Sequence, residues 1–427
     1  METLPQPPAG APRRQLRVAL FSTLYPSVAR PGHGIFVETR LRELLRAGAV
    51  EAHVVAPVPW FPSTADRWGD YARIARTPSE EVRGGVNVVH PRYALPPRVG
   101  QTIAPFTLAL GALGAFRALR RQGFDFDLID AHYFYPDGVA AALLARALGR
   151  PFVVTARGSD LNVLGRDPVA RSMMRWAAKR AAASIGVCNA LAEVLRGWGV
   201  QASRVHVVRN GVDLQRFAPQ PRAASRARLG LDGAPLVLSV GNLLPVKGHE
   251  LTIDAIAALV PRWPGLRLVI VGRGPEREAL ESYARARGLA DRVHFAGVVA
   301  NDELLHWYSA ADVSVLASHS EGWANVLLES MACGTPVVAT DVGGTAEVIG
   351  AGTAGLLLPR RDVASMAAAI ERAWQHPFDR DVVRQHAEQF SWEATTAAQL
   401  AIFLRITGLQ GGSASAEEVA LPAGSGP

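Results

Sequence analysis

The chain has 427 residues, 49% of them apolar, which is too long for one ordinary domain and enough to give each of two domains its own core. Its net charge of +7 is unevenly shared: residues 1–213 hold 27 Lys and Arg against 16 Asp and Glu, and residues 214–427 hold 18 against 22. The basic first half favours an anionic partner, but no zinc-finger, helix-turn-helix or RNA-binding signature is present, so nucleic acid is not expected. Two distant cysteines, Cys188 and Cys333, form neither a disulfide framework nor a metal spacing and suit a reducing cytosol.

Residues 1–15 are Pro-rich and polar, lack the apolar core of a signal peptide, and are expected to be disordered. Strands are then expected at Arg17–Ser22, Ala52–Ala56, Val86–His90, Asp127–His132, Phe152–Ala156, Ser184–Cys188 and Val205–Val208. Between most of them lie helical stretches at Val37–Arg46, Phe106–Arg121, Val139–Leu148, Ala170–Ala183 and Ala190–Gly197. Such alternation predicts an open, mostly parallel sheet with helices on both faces over residues 16–212. Residues 213–390 repeat the plan, beginning with the strand Leu236–Val240 and including Val313–Leu316, Pro336–Thr340 and Gly355–Leu358. Two doubly wound Rossmann-like domains in tandem follow, with ligands expected in the cleft at the carboxyl ends of their strands. A last helix, 391–408, precedes a Gly/Ser/Ala/Pro-rich tail, 409–427, which is expected to be disordered.

The most informative stretch is SHSEGWANVLLESMACGTPVVATD, residues 318–341. Glu321 and Glu329 stand eight positions apart, about 80° from sharing a face on an ideal helix, so Glu321 is expected in a loop and Glu329 in the helix. Asn325 is a good N-cap, Gly334 a good stop, and the N–H groups of Trp323 to Val326 make an anion site at the helix start. A carboxylate on either side of an anion site suits a ligand with phosphates in the middle and hydroxyls at both ends, which is a nucleotide sugar. In GNLLPVKG, residues 241–248, Lys247 is placed at a strand end to meet a phosphate. RPGHGIFVE, residues 30–38, puts Gly32 and Gly34 where a backbone can approach a ligand, and GRGPER, residues 272–277, is a second such loop; neither has the third glycine of the dinucleotide fingerprint. DAHYFYPDG and TARGSD place His132, Arg157 and Asp160 at adjacent strand ends of the first domain. No Gly-x-Ser-x-Gly or Walker A motif and no metal-holding Asp-x-Asp is present.

Together these segments resemble the retaining glycosyltransferases of the GT-B fold, glycosyltransferase family 4 (glycosyl transferases group 1), over roughly residues 16–408. EGWANVLLE looks like the family's Glu-x7-Glu signature, followed by SMACGTPVVATDVGG, and GNLLPVKG, VGRGPE and VHFAGVV occur in the family's order. PGHGIFVE, DAHYFYPDG and TARGSD are similar to exopolysaccharide and teichuronic-acid-type bacterial members. The resemblance implies a sugar transfer from a UDP- or GDP-sugar to a saccharide or lipid-linked acceptor, without a tightly held metal or other cofactor. It assigns Glu321 to the donor-sugar hydroxyls, the backbone of Gly322, Trp323, Ala324 and Asn325 to the phosphates, Glu329 to the ribose and Lys247 to the pyrophosphate. His132 would lie beside the reacting sugar, Asp160 near acceptor or sugar, Gly34 against the donor and Val298 near the base.

One departure matters. The family usually has Arg where this chain has Asn242, and Arg157, reaching over from the first domain when the cleft closes, or failing that Arg273, is expected to supply the missing cation to the pyrophosphate. Two other readings fit the same fold: an epimerase of nucleotide sugars, which needs no acceptor, and a non-catalytic nucleotide-sugar-binding partner. The basic first domain adds an expected contact with an anionic membrane surface through Thr107–Arg121 and Ala170–Ala183, on an otherwise cytoplasmic protein.

Overall fold

The computed structural model describes residues 14–96, 99–231 and 233–409. Most of the ends expected to be disordered therefore lies outside the described residues. Arg14 and Gln15, expected to be disordered, are both held: Arg14 pairs with Asp127 at 2.8 Å, and the Gln15 amide donates to the Gly48 carbonyl.

The first domain is built on an eight-stranded sheet. From one edge its order is Val205–Val207, Ala183–Gly186, Phe152–Ala156, Leu128–His132, Leu16–Phe21, Val50–Val55, Val86–Val89 and Glu80–Arg83. All pairings are parallel except the last, a hairpin turned at Gly84 and Gly85. Helices cover both faces of the central strands, so Phe152–Ala156 and Leu128–His132 are buried at every position, Asp130, His132 and Thr155 included. The second domain has a fully parallel six-stranded sheet in the order Val293–Gly297, Arg267–Val271, Leu236–Val240, Val313–Leu316, Val337–Thr340 and Gly355–Leu358.

Several elements lacked an apolar signal in the sequence. Glu80–Arg83 is a polar edge strand, and Val58–Pro59 pairs with Arg92–Tyr93 in a separate two-residue ladder. The helices Arg222–Arg228 and Arg380–Glu388 are mostly charged or polar, with few buried side chains. The helix expected to run to Ala183 stops at Ala178, because Ala183–Gly186 is taken by the sheet. The helix Trp392–Thr407 returns from the second domain to the first, burying Ile402 and Phe403 with Leu16 and Leu44.

Candidate active site

The site is built from loops at the carboxyl ends of the second sheet. After Leu236–Val240, the chain makes a single 3-10 turn, Pro245–Lys247, ended by Gly248 with φ 66°. A side chain at Gly248 would overlap the Ala317 carbonyl, so glycine is required there. Lys247 runs back beside Gly241, and its Nζ lies 2.6 Å from Glu321 Oε1. Ser318 Oγ donates to the same oxygen at 2.6 Å. The two residues that the sequence separates by 74 positions are thus one ion pair, at the mouth of the helix Asn325–Ala332.

That helix has no side-chain cap. Its N-cap residue is Ala324 rather than the expected Asn325, whose Oδ1 instead accepts from Asn210 of the first domain at 3.3 Å. Glu329 sits one turn into the helix, as its distance from Glu321 requires. Tyr308 donates to its Oε2 at 2.9 Å, and the carboxylate lines a cavity with Ile35, Phe36, Thr39 and Asp213 at the domain seam. Burial pushes the Glu329 carboxyl above its ordinary range, while the Tyr308 hydroxyl opposes this.

The Gly322–Asn325 backbone is closely buttressed. A side chain at Gly322 would overlap the Arg157 carbonyl, and one at Gly158 would overlap Gly322, so the two domains meet here backbone against backbone. Asn162 Nδ2 donates to the Glu321 carbonyl at 3.3 Å across the same seam. Behind the loop, Gly343 and Gly344 pack under Glu321 and Gly322, which is what their missing side chains allow. Trp323 and Ala324 are buried, Trp323 against Phe390. Val298 is exposed in the loop after Val293–Gly297.

Two cation candidates separate clearly. Arg157 turns into the first domain: Nη2 donates to His132 Nδ1 at 2.6 Å, Nη1 to Asn210 Oδ1 at 3.1 Å, and the guanidinium lies over the Phe36 ring. In this conformation its side chain is engaged inside the domain; the expected reach to the phosphate loops concerns a closed cleft. Arg273 is exposed and makes no ion pair or side-chain hydrogen bond among the described residues. Its loop packs backbone to backbone on that of Asn242, since side chains at Gly272 and Gly274 would overlap the carbonyls of Gly241 and Leu243. Across the seam it faces Gly32, where an added side chain would come within 3.6 Å of Arg273 Nη2. The Asn242 side chain is likewise exposed and without a partner among the described residues.

Gly34 is tied to the packing of the chain. It adopts φ 66° at the start of the helix Ile35–Arg46, and a side chain there would overlap the Leu24 carbonyl. The chain's own packing is enough to demand that glycine. Asp160 is also structural: fully buried, it accepts from the backbone N–H groups of Phe134, Gly158 and Arg157 at 2.8–3.1 Å and so shapes the turn that meets Gly322.

His132 is 1% exposed, and both ring nitrogens are engaged. With Arg157 donating to Nδ1, the proton sits on Nε2, which faces Asp130 Oδ2 at 3.3 Å. In this conformation the ring supports the cleft wall rather than touching the cleft. Burial pushes its pKa down to about 4, with Asp130 opposing the shift and Arg157 adding to it. The ring is thus neutral when folded, whereas an unfolded histidine takes a proton near 6.5. Between those values only the unfolded chain binds the proton, so stability present above pH 6.5 is lost as pH falls, by about 3 kcal/mol at pH 4. Urea unfolding across this range should show that slope in the wild type and a flatter one in His132→Asn.

Residues that carried no local signal complete the wall: Asp130, Asn210, Arg40 and Gln399 join His132 and Arg157 in one buried network. Arg40 interrupts an otherwise apolar face with Val37, Leu41 and Leu44, whereas Gln399 shares its buried face with Thr395 and Thr396.

Known proteins agree with this architecture. The profile described as Glycosyltransferase Family 4 matches residues 30–216, and that described as Glycosyl transferases group 1 matches residues 221–390. The chain is 32% identical over 429 residues to a D-inositol 3-phosphate glycosyltransferase of Gordonia bronchialis, covering 91% of this chain and 88% of that protein. It is 33% identical to D-inositol 3-phosphate glycosyltransferase 2 of Catenulispora acidiphila, covering 78% and 83%. Among solved structures, sucrose-phosphate synthase from Thermosynechococcus elongatus superposes with a TM-score of 0.75 at 23% identity, over 93% of this chain and all of that one. Anabaena HepE in complex with UDP gives 0.68 at 21% identity, over 92% and 100%. The chain belongs to glycosyltransferase family 4, has the GT-B fold, and is a glycosyltransferase acting on nucleotide-sugar donors.

Proposed function

We propose that the enzyme moves a hexosyl group, with retention of anomeric configuration, from a UDP- or GDP-sugar to a hydroxyl of a saccharide or lipid-linked acceptor in the assembly of a bacterial envelope polysaccharide. The observation that carries this reading is the Lys247–Glu321 pair, held 2.6 Å apart at the start of an uncapped helix on the domain seam. In the proposed step the acceptor hydroxyl oxygen bonds to the anomeric carbon as the bond from that carbon to the diphosphate breaks. The acceptor proton passes to the departing phosphate oxygen on the same face, so no side chain is needed as base. Lys247 and Arg273 meet the charge gathering on the diphosphate, Glu321 holds the sugar hydroxyls and Glu329 the ribose. Incubation with nucleotide sugars and lipid-linked saccharides tests it: transfer with retained configuration is expected, whereas donor interconversion without acceptor would identify an epimerase, and no turnover a binding partner.

A second acceptor reading comes from the relatives named above, whose acceptor is a phosphorylated cyclitol. Arg30, which precedes Pro31 and Gly32 in the loop facing Arg273, has a buried Nε without a partner among the described residues, which supports it as the cation for such a phosphate. Transfer to D-inositol 3-phosphate, abolished in Arg30→Ala, would favour it over the lipid-linked acceptor.

The free guanidinium of Arg273 leads to a specific expectation. A charge-assisted hydrogen bond contributes about 1.5–3 kcal/mol, so Arg273→Ala should lower kcat/KM by at least about tenfold. Asn242→Arg, placed in that background, should recover most of the loss. Arg157→Ala should act mainly on thermal stability, because its partners are internal. An Arg273→Ala enzyme indistinguishable from wild type would remove Arg273 from the phosphate site.

A further inference from the structure

The helices Gly100–Arg121, Val139–Leu148 and Pro168–Ala178 pack side by side against the first sheet and share one core. Together they contain no Asp or Glu, against six arginines. On Gly100–Arg121 the buried stripe is Leu108, Ala112, Phe116 and Leu119. The opposite stripe starts at Val99, 55% exposed, passes through Phe106 at 50% and Leu110 at 75%, and ends at the exposed Arg117 and Arg121. Among the described residues, neither of these two arginines, nor Arg171 and Arg175 on the outer face of Pro168–Ala178, forms an ion pair. The charge continues past the helix ends into a groove lined by Arg146, Arg180, Arg204 and Arg405.

Length and composition would allow Gly100–Arg121 to cross a membrane, but its inner stripe is committed to the core through Phe116, which packs on Phe21 and Phe126. The helix can therefore only lie on a membrane, presenting a stripe about 33 Å long. Aliphatic and aromatic side chains at the crest, with unpaired arginines on the same line and no acid, match the interface of an anionic bilayer. A nucleic acid would match the arginines and leave Leu110 and Phe106 without a role. We propose that this acid-free face docks on an anionic lipid bilayer, with Phe106 and Leu110 entering the boundary between headgroups and acyl chains and Arg117 and Arg121 meeting lipid phosphates.

The docking has a consequence for the acceptor, and on that point alone it rests on the function proposed above. The start of Gly100–Arg121 is tied to the cleft wall by Tyr135, which donates to the Gln101 carbonyl and follows the strand of His132. A bilayer lying along the helix thus runs beside the cleft, where a lipid-borne acceptor would enter.

Sedimentation of the full chain with phosphatidylcholine vesicles, with and without phosphatidylglycerol, tests the proposal. Binding is expected to the anionic vesicles only and to be released by salt. Each arginine near such a surface is worth about fivefold, so Arg117→Gln with Arg121→Gln should weaken binding by about 25-fold. Leu110→Asp, at a site open enough to fold normally, should weaken it by about tenfold. Equal binding to neutral vesicles, wild-type binding by both variants, or arginine-dependent retention on RNA that Leu110→Asp leaves intact would each overturn it. Nucleotide-sugar titration of the same preparations separates the two proposals: its failure in the wild type would count against the enzymatic reading and not against the surface.

Discussion

Lys247→Ala is expected to reduce kcat by about 10³-fold while changing donor affinity much less. The nucleoside diphosphate gains charge as the glycosidic bond breaks, so a cation near it is worth more in the transition state than in the bound substrate. At about 4 Å and an effective dielectric of 20 that cation contributes on the order of 4 kcal/mol, and each 1.36 kcal/mol is tenfold in rate. The structure gives Lys247 the fixed position this needs: a 3-10 turn ended by Gly248, a path beside Gly241, and Glu321 Oε1 at 2.6 Å. Without donor, Glu321 is the counter-ion of Lys247. With donor, the ammonium can be shared between carboxylate and phosphate, while Ser318 keeps Glu321 oriented. Single-turnover rates with saturating donor measure the effect. Lys247→Arg should retain part of the activity, because the charge survives but the path beside Gly241 was shaped for an unbranched chain. A loss below about tenfold in Lys247→Ala would move the main phosphate cation elsewhere, with Arg273 the first alternative.

How much of this was legible in the chain follows from what each feature depends on. Parallel strands between covered faces are mostly apolar, so Phe152–Ala156, Leu236–Val240 and Val313–Leu316, each with a single hydroxyl residue, announce themselves, as does Gly355–Leu358 at the sheet edge. Glu80–Arg83 does not, because an edge strand carries polar residues and borrows its register from Val86–Val89. The separation of Glu321 and Glu329 is local, so a loop residue followed by a helix residue could be inferred from spacing alone. The glycines were visible as glycines, but their reasons were not. Gly34 answers to Leu24, Gly322 to Arg157 and Gly343 to Glu321, and each reason is a contact between parts of the chain that no spacing connects. The side-chain directions of His132, Arg157 and Asp160 were hidden for the same cause. Their positions at strand ends were read correctly from the apolar runs before them, but burial then decided whether the side chain faced the cleft or the interior.

Asp130→Asn should be the most destabilising near-isosteric change in the first domain. Two guanidiniums are buried there: Arg40, 2% exposed, donates to Gln399 Oε1 at 2.7 Å and to the Val208 carbonyl and Asn210 Oδ1 at 3.3 Å, while Arg157 holds His132 and Asn210. Burial pushes Arg40 down to about 10 and Arg157 to about 9, and Asp130 pulls both upward. Asp130 Oδ2 also accepts from Gln399 Nε2 at 3.1 Å and faces His132 Nε2. The amide fills the same space but carries no charge, which removes the negative charge that favours both buried cations through space. At an effective dielectric of 20 a lost through-space attraction of this kind is worth on the order of 3 kcal/mol, or roughly 10 °C in the melting of a domain of this size. Gln399→Leu should cost less, about 1–3 kcal/mol, because it strands neutral or already paired groups. Since Gln399 lies on the helix that crosses back from the second domain, both variants should also loosen that helix, seen as faster amide exchange over Trp392–Thr407. Nucleotide-sugar affinity should hold in Asp130→Asn well below its lowered melting temperature, because Lys247, Glu321 and Glu329 stand on the other sheet. Melting within about 2 °C of wild type would mean that the carboxylate is not what makes two buried arginines tolerable, and that water reaches them instead.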